Sequence, residues 1–162
     1  MKLETALIIA QQVKAKLAPH CERIEIAGSI RRKRPEVKDI EIVAIPKPYD
    51  TGLFENGVAS VVNKWVKVKG ELPCKYTQRL LPDGIKLDLF FATKENWGLI
   101  FAIRTGSADF SHKVLATGWT KRGYSSKDGM LRQNFKTYPM REEKDVFNLI
   151  GLPYVSPEKR EI

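Results

Sequence analysis

The stretch Ala27–Val43, AGSIRRKRPEVKDIEIV, constrains this chain more than any other. It runs from a small-residue turn through a knot of basic residues into a strand pattern, KDIEIVAI. Side chains alternate along a strand, so Ile40 and Ile42 point one way and Asp39 and Glu41 the other. Two acids two residues apart on one face repel each other, and repulsion raises a carboxyl pKa unless a cation lies between them. A second strand pattern, KLDLF, offers Asp88 as a third acid if it lies alongside. A lone D-x-E on a strand is most often a solvated face; the ordered series of turn, arginines, paired acids and later strand acid is far more specific.

Divalent magnesium answers that repulsion, because it takes oxygen ligands from carboxylates and substrate phosphates. A pair of such ions activates an attacking oxygen and stabilises a leaving one. The Gly28-Ser29 turn suits the other half of such a site: it lets backbone N–H groups approach a phosphate, and the serine adds a hydroxyl donor. Arg31 and Arg32 follow, with guanidinium forks that hold phosphate oxygens in pairs.

The rest of the chain reads as an α+β protein. An amphipathic helix spans about 2–17 and ends at Ala18-Pro19. RIEIAG and KDIEIVAI are strands. PKPYDTG breaks the pattern, and LFENGVASVVNKWVKV is expected to be a helix. CKYTQRLL and IKLDLFFAT are strands around Pro-Asp-Gly. Next come LIFAIRTGS, a helix ending at Gly123, a hairpin at Asp128-Gly129, a short acid-led helix in REEKDVFNLIG, and an extended tail. The expected division is 1–95, a mixed sheet with helices, and 96–162, a smaller α+β lobe.

Charge narrows the partners. The 162 residues carry 28 Lys plus Arg against 19 Asp plus Glu, a formal net charge of +9. Such an excess favours a polyanion such as nucleic acid over a plain basic surface only when other features agree. No apolar run approaches the ~20 residues of a membrane span, and the first residues lack the pattern of a signal peptide. Cys21 and Cys74 form no C-x-x-C pair or disulfide framework, and are expected to stay reduced. The expectation is a soluble, cytoplasmic monomer of compact viral or bacterial type. His20 and His112 lack ligand spacing and receive no role. Trp65, Trp97 and Trp119 are expected in cores.

The order of these motifs resembles the polymerase-beta nucleotidyltransferase superfamily, and specifically the family X DNA polymerases. RTGSADFSHKVLATGWTKRGYSSKDGML is similar to that family's T-G-S segment, helix and hairpin, and EEKDVFNLIGLPYVSPEKRE to its closing stretch. The resemblance implies a minimal form, a nucleotidyltransferase palm followed by a thumb-like lobe that closes on the nucleotide. It implies a DNA polymerase, acting in DNA repair, that adds a deoxynucleotide from dNTP to a primer 3′-OH on primer-template or gapped DNA. Two Mg²⁺ ions, replaceable by Mn²⁺, serve the reaction.

Residue by residue, the resemblance makes Asp39 and Glu41 ligands of both metals and Asp88 a ligand of the catalytic one. Ser29 and Arg32 match triphosphate contacts, and Gly28 the glycine of the nucleotide-binding turn. Thr105, Gly106 and Ser107 match the segment that packs on the incoming nucleotide, and Lys86 a basic position near the primer end. Glu41 stands where the family usually has Asp, and Ile103 and Arg104 where it often has aromatics against the sugar. Ser111 stands where an Asn often contacts the base. The family's helix-hairpin-helix modules are expected to be absent, leaving the lobes themselves to grip DNA through Lys69, Lys75, Arg79, Lys113, Lys121, Arg122 and Arg132, with Tyr76 or Tyr124 as stacking partners. Two alternatives stand beside this reading: a transferase that ignores a template or acts on another acceptor, and a nucleic-acid-binding module whose catalysis has lapsed.

Overall fold

The computed structural model describes residues 1–48 and 57–162. They form two compact units, Met1–Ala92 and Thr93–Ile162.

The N-terminal unit is built on a five-stranded mixed sheet. Its strands are β1 (Cys21–Ile26), β2 (Asp39–Pro46), β3 (Val66–Lys69), β4 (Tyr76–Leu80) and β5 (Lys86–Phe91), in the order β1-β2-β5-β4-β3. β2 and β5 run parallel, and the other neighbours are antiparallel. One face is apolar. Ile24, Ile40, Ile42, Ala44, Leu87 and Leu89 on it share a core with helix α1 (Leu3–Leu17). That helix buries Ala6, Ile9, Ala10, Val13 and Leu17, a three-to-four-residue spacing that puts all five on one stripe. Each large aliphatic side chain so buried stabilises by about 1.5–3 kcal/mol, so a charge at Ile42 would break this layer. A short 3₁₀ turn at Ala18–His20 closes the helix and feeds β1.

Two local expectations are corrected here. The stretch expected as one helix to Val68 is a short helix, α3 (Val58–Val62), followed by the edge strand β3; its first residues, 53–56, lie outside the described residues. Val66-Lys67-Val68-Lys69 alternates with period two, and lysines are a common guard on an exposed sheet edge. Arg79, expected on the surface, is buried. Its guanidinium donates to Thr77 Oγ1 at 3.0 Å and to the carbonyls of Trp65 and Gly70 at 3.4 Å each, so it ties β4 to the β3 region.

The C-terminal unit packs helices on a small sheet. Helix α4 (Trp97–Thr105) is followed by a π-helical segment, Phe110–Ala116, that runs into α5 (Thr117–Lys121). Strands β6 (Ser125–Lys127), β7 (Met130–Gln133) and β8 (Lys136–Tyr138) form an antiparallel meander, and α6 (Glu143–Leu149) follows. Leu99, Ala102, Phe110, Leu115, Trp119, Leu131, Val146, Phe147 and Ile150 make its core. The tail expected to be extended contains a 3₁₀ turn, Pro157–Lys159, and delivers Arg160 into the interior. Arg160 pairs with buried Glu143, donates to Val155 O at 2.8 Å, and lies 5.1 Å from the ring centres of Phe147 and Tyr154.

Among the described residues no helix is long and apolar enough to cross a membrane. Trp65, Trp97 and Trp119 are buried, as expected of core aromatics.

Candidate active site

The parallel pairing of β2 and β5 positions the acids. Its register sets Glu41 opposite Asp88 and Asp39 opposite Lys86. Opposite residues of paired strands share a face, and Asp39 and Glu41 are two apart, so all four side chains leave the same side of the sheet. This is the side away from α1. Asp39 and Glu41 are half-buried, Asp88 is buried, and Lys86 is exposed.

Asp88 is held from the neighbouring strand. Tyr76 donates its hydroxyl to Asp88 Oδ1 at 2.6 Å, and Gln78 donates from Nε2 to the same oxygen at 2.8 Å. The Tyr76 ring is itself stacked on Phe90, with centres 4.9 Å apart. Tyr76 is therefore committed to orienting an acid and is not an open stacking platform. Neither β4 residue was expected in this role. The signal was available as a polar alternation, Tyr76 and Gln78, on the strand preceding the acid.

Asp39 has a carboxyl pKa raised above the ordinary aspartate value. Burial is the largest cause and the Asp88 carboxylate the second, opposed by Lys86 and Lys38. The repulsion inferred from the sequence is present, but desolvation outweighs it.

Glu41 takes another direction. Gly28 has a left-handed backbone, φ +61°, and a Cβ built there would lie 1.7 Å from Glu41 Oε2. The longer side chain folds its carboxylate over the glycine. Among the described residues, no three Asp, Glu, His or Cys side chains stand close enough together to hold a metal ion. Asp39 and Asp88 are close enough for one carboxylate to act on the other, and Glu41 is on the same face but turned toward Gly28. Hard carboxylate oxygens of this kind suit Mg²⁺ or Mn²⁺.

The expected Gly-Ser turn is the start of a one-turn helix, α2 (Gly28–Arg31). It is fastened to the acid strand by Ala27 N–H, which donates to Glu41 O at 2.8 Å. The basic run beyond it doubles back: Arg34 N–H donates to Ser29 O at 3.0 Å, and Lys33 adopts a left-handed φ of 59°. The result is an open cavity of about 310 Å³ lined by Ser29, Arg32, Arg34, Glu36, Lys38, Asp39 and Glu41. Ser29, Arg32, Asp39 and Glu41 were expected together. Arg34, Glu36 and Lys38 join them because the loop folds back, which no short-range pattern announces.

Within the C-terminal unit, Thr105 is buried at the end of α4 and Arg104 beside it is exposed. A Cβ at Gly106 would meet Phe110 Cδ1 at 2.7 Å and Ser111 Oγ at 2.9 Å, so the T-G-S segment needs the glycine for close packing. Ser107 N–H donates to Arg160 O at 2.9 Å, and the Ser107 hydroxyl to Glu161 O. Ser107 Oγ also accepts from Phe110 N–H at 3.0 Å, and Ser111 Oγ donates to Ile103 O at 2.7 Å. These contacts stitch the segment to the C-terminal residues and start the π-helical segment. Lys113 is exposed and lies 3.8 Å from Asp109; Lys75 is exposed and Arg132 half-buried. Tyr124 meets Tyr138 edge-on at 5.2 Å.

Burial pushes the Cys21 thiol up to about 11, so it is held as the unreactive thiol.

Comparison with known proteins agrees with the C-terminal reading. No curated protein matches the chain. Residues 101–161 match the family described as the DNA polymerase beta thumb, and over those residues the chain is related to the polymerase-beta-like proteins.

Proposed function

We propose that this chain is a metal-dependent nucleotidyltransferase of the family X kind, a minimal DNA polymerase that adds dNMP to a primer 3′-OH. The observation that carries the reading is the parallel register pairing Glu41 with Asp88, which sets three acids on one face beside a cavity lined by Ser29 and Arg32. The thumb match supports a polymerase-related partner, DNA, for the C-terminal unit.

In this reading Asp88, oriented by Tyr76 and Gln78, accepts or orients the proton of the primer 3′-OH. The 3′-oxygen attacks the α-phosphorus, the bond to the β-phosphate oxygen breaks, and pyrophosphate leaves. Ser29 and Arg32 hold that leaving group through hydroxyl and guanidinium donors. Mg²⁺, if held there, would supply charge neutralisation for the attacking and leaving oxygens. Asp39, Glu41 and Asp88 would hold the metal. Thr105 is fully buried and shapes its own segment, while exposed Lys75, Lys86 and Lys113 and half-buried Arg132 serve as DNA phosphate contacts.

The test is extension of labelled single-stranded, nicked and gapped primers with each dNTP and rNTP. Longer products accompanied by pyrophosphate support the reading. Lack of product on every primer, with either metal, overturns it. The orientation of Glu41 favours a second reading, a nucleic-acid-binding module with lapsed catalysis; metal-dependent dNTP binding without turnover would select it.

A further inference from the structure

The tip of the β7–β8 hairpin is built against ordinary economy. Its two connecting residues, Asn134 and Phe135, are both left-handed, with φ 52° and 66°. Two-residue hairpins of this geometry strongly favour Asn followed by Gly, because the second position penalises a Cβ. Here it carries a phenylalanine. That ring is also 101% exposed, so it packs on nothing in its own unit. A bulky residue that is strained in backbone and bare in side chain is explained by what it contacts outside the fold.

The segment that carries it says what that contact is. Lys136 follows the ring directly, Arg132 lies on the strand leading to it, and Gln133 beside the tip donates to Arg122 O at 2.8 Å, whereas Lys127 and the one acid of residues 121–138, Asp128, lie at the opposite turn. A single bare ring among cations does not resemble an apolar protein-docking patch, which is broad and contiguous. It has the two elements that grip single strands: positive charge for phosphates and an aromatic face for a base.

We propose that the β7–β8 hairpin is a base-stacking finger, with Phe135 stacking on an unpaired nucleotide of the bound strand. The inference extends the nucleic-acid partner of the proposed function and adds where an unpaired base is held.

The test is fluorescence anisotropy with a labelled single-stranded oligonucleotide and with a blunt duplex, comparing the full chain with Phe135→Gly and Phe135→Trp. Phe135→Gly is expected to weaken single-strand binding about tenfold, the scale of one lost stacking contact, and to leave duplex binding unchanged. Phe135→Trp is expected to retain it. Thermal unfolding separates a contact from a structural role: Phe135→Gly should raise Tm, because glycine suits the left-handed position. Unchanged single-strand binding, or equal losses on both probes, overturns the inference. So does a concentration-dependent dimer of the full chain that Phe135→Gly abolishes. If primers are extended while Phe135→Gly binds normally, the finger alone fails. If the full chain binds no nucleic acid, the proposed function fails with it.

Discussion

Glu41 lies directly over Gly28, so that a methyl group on the glycine would sit 1.7 Å from the carboxylate oxygen Oε2. The turn and the acid strand therefore constrain each other. Gly28→Ala has to displace Glu41 and also hold alanine at φ +61°. The backbone cost alone is about 1 kcal/mol, and a strained turn shifts Ser29 within a site that tolerates about 0.5 Å. We expect Tm to fall by a few degrees and nucleotide addition to fall on the order of 100-fold, since small misplacements cost that much. Equal activity in the variant would show that the position of this turn does not matter to the reaction.

The raised Asp39 pKa gives a pH prediction with a definite sign. A carboxyl that holds its proton more tightly in the folded state than in the unfolded one opposes folding when ionised. Metal-free protein should therefore lose stability as pH rises from the ordinary aspartate value through the higher folded pKa of Asp39, and Asp39→Asn should raise Tm at neutral pH. NMR titration of the Asp39 carboxyl carbon checks the cause: Asp88→Asn should lower its midpoint but leave it above the ordinary value, because burial contributes most. An unchanged midpoint would mean that the two carboxylates do not interact.

Tyr76→Phe removes the 2.6 Å donor to Asp88 and keeps the ring on Phe90. Partners that orient metal-ligating groups are typically worth 10–100-fold in affinity or activity; with Gln78 still in place, we expect the lower end, about tenfold. Tm should hardly move. A large loss of Tm with full activity would make Tyr76 a framework residue.

In the C-terminal unit, Glu143→Ala strands buried Arg160 without its carboxylate. Breaking a buried pair from one side costs about 3–5 kcal/mol. Urea unfolding should register that loss, and Arg160→Met in the same background should recover part of it. Additive losses in the double variant would show that the pair is not coupled.

What the sequence made legible followed from periodicity. The alternation in KDIEIVAI and KLDLF placed the acids opposite the core residues, and α1 and α6 came from helical spacing and acid-first turns. The direct pairing of β2 with β5 was conditional, because a parallel neighbour across about forty-five residues is set by packing of the whole sheet. β3 was absorbed into a helix because Val and Lys fit both patterns over so short a run. β8 was not foreseen, since Asn134-Phe135 lacks the glycine that announces a hairpin. Arg79 read as a surface cation, and the burial of Arg160 in the tail went unforeseen, because composition carries no trace of the carbonyls and carboxylate awaiting them. The fold-back that adds Arg34 and Lys38 to the cavity was hidden for the same reason.

The account's central claim is that the shared face of β2 and β5 performs metal-dependent nucleotidyl transfer. Single-turnover addition of one dNMP to a gapped primer, with Mg²⁺ or Mn²⁺, tests it most directly in the unaltered chain, Asp39→Asn and Asp88→Asn. The account predicts addition that requires the metal and falls at least about 1,000-fold in both variants, while circular dichroism stays native. Addition that persists in either variant, or without a divalent metal, would contradict it.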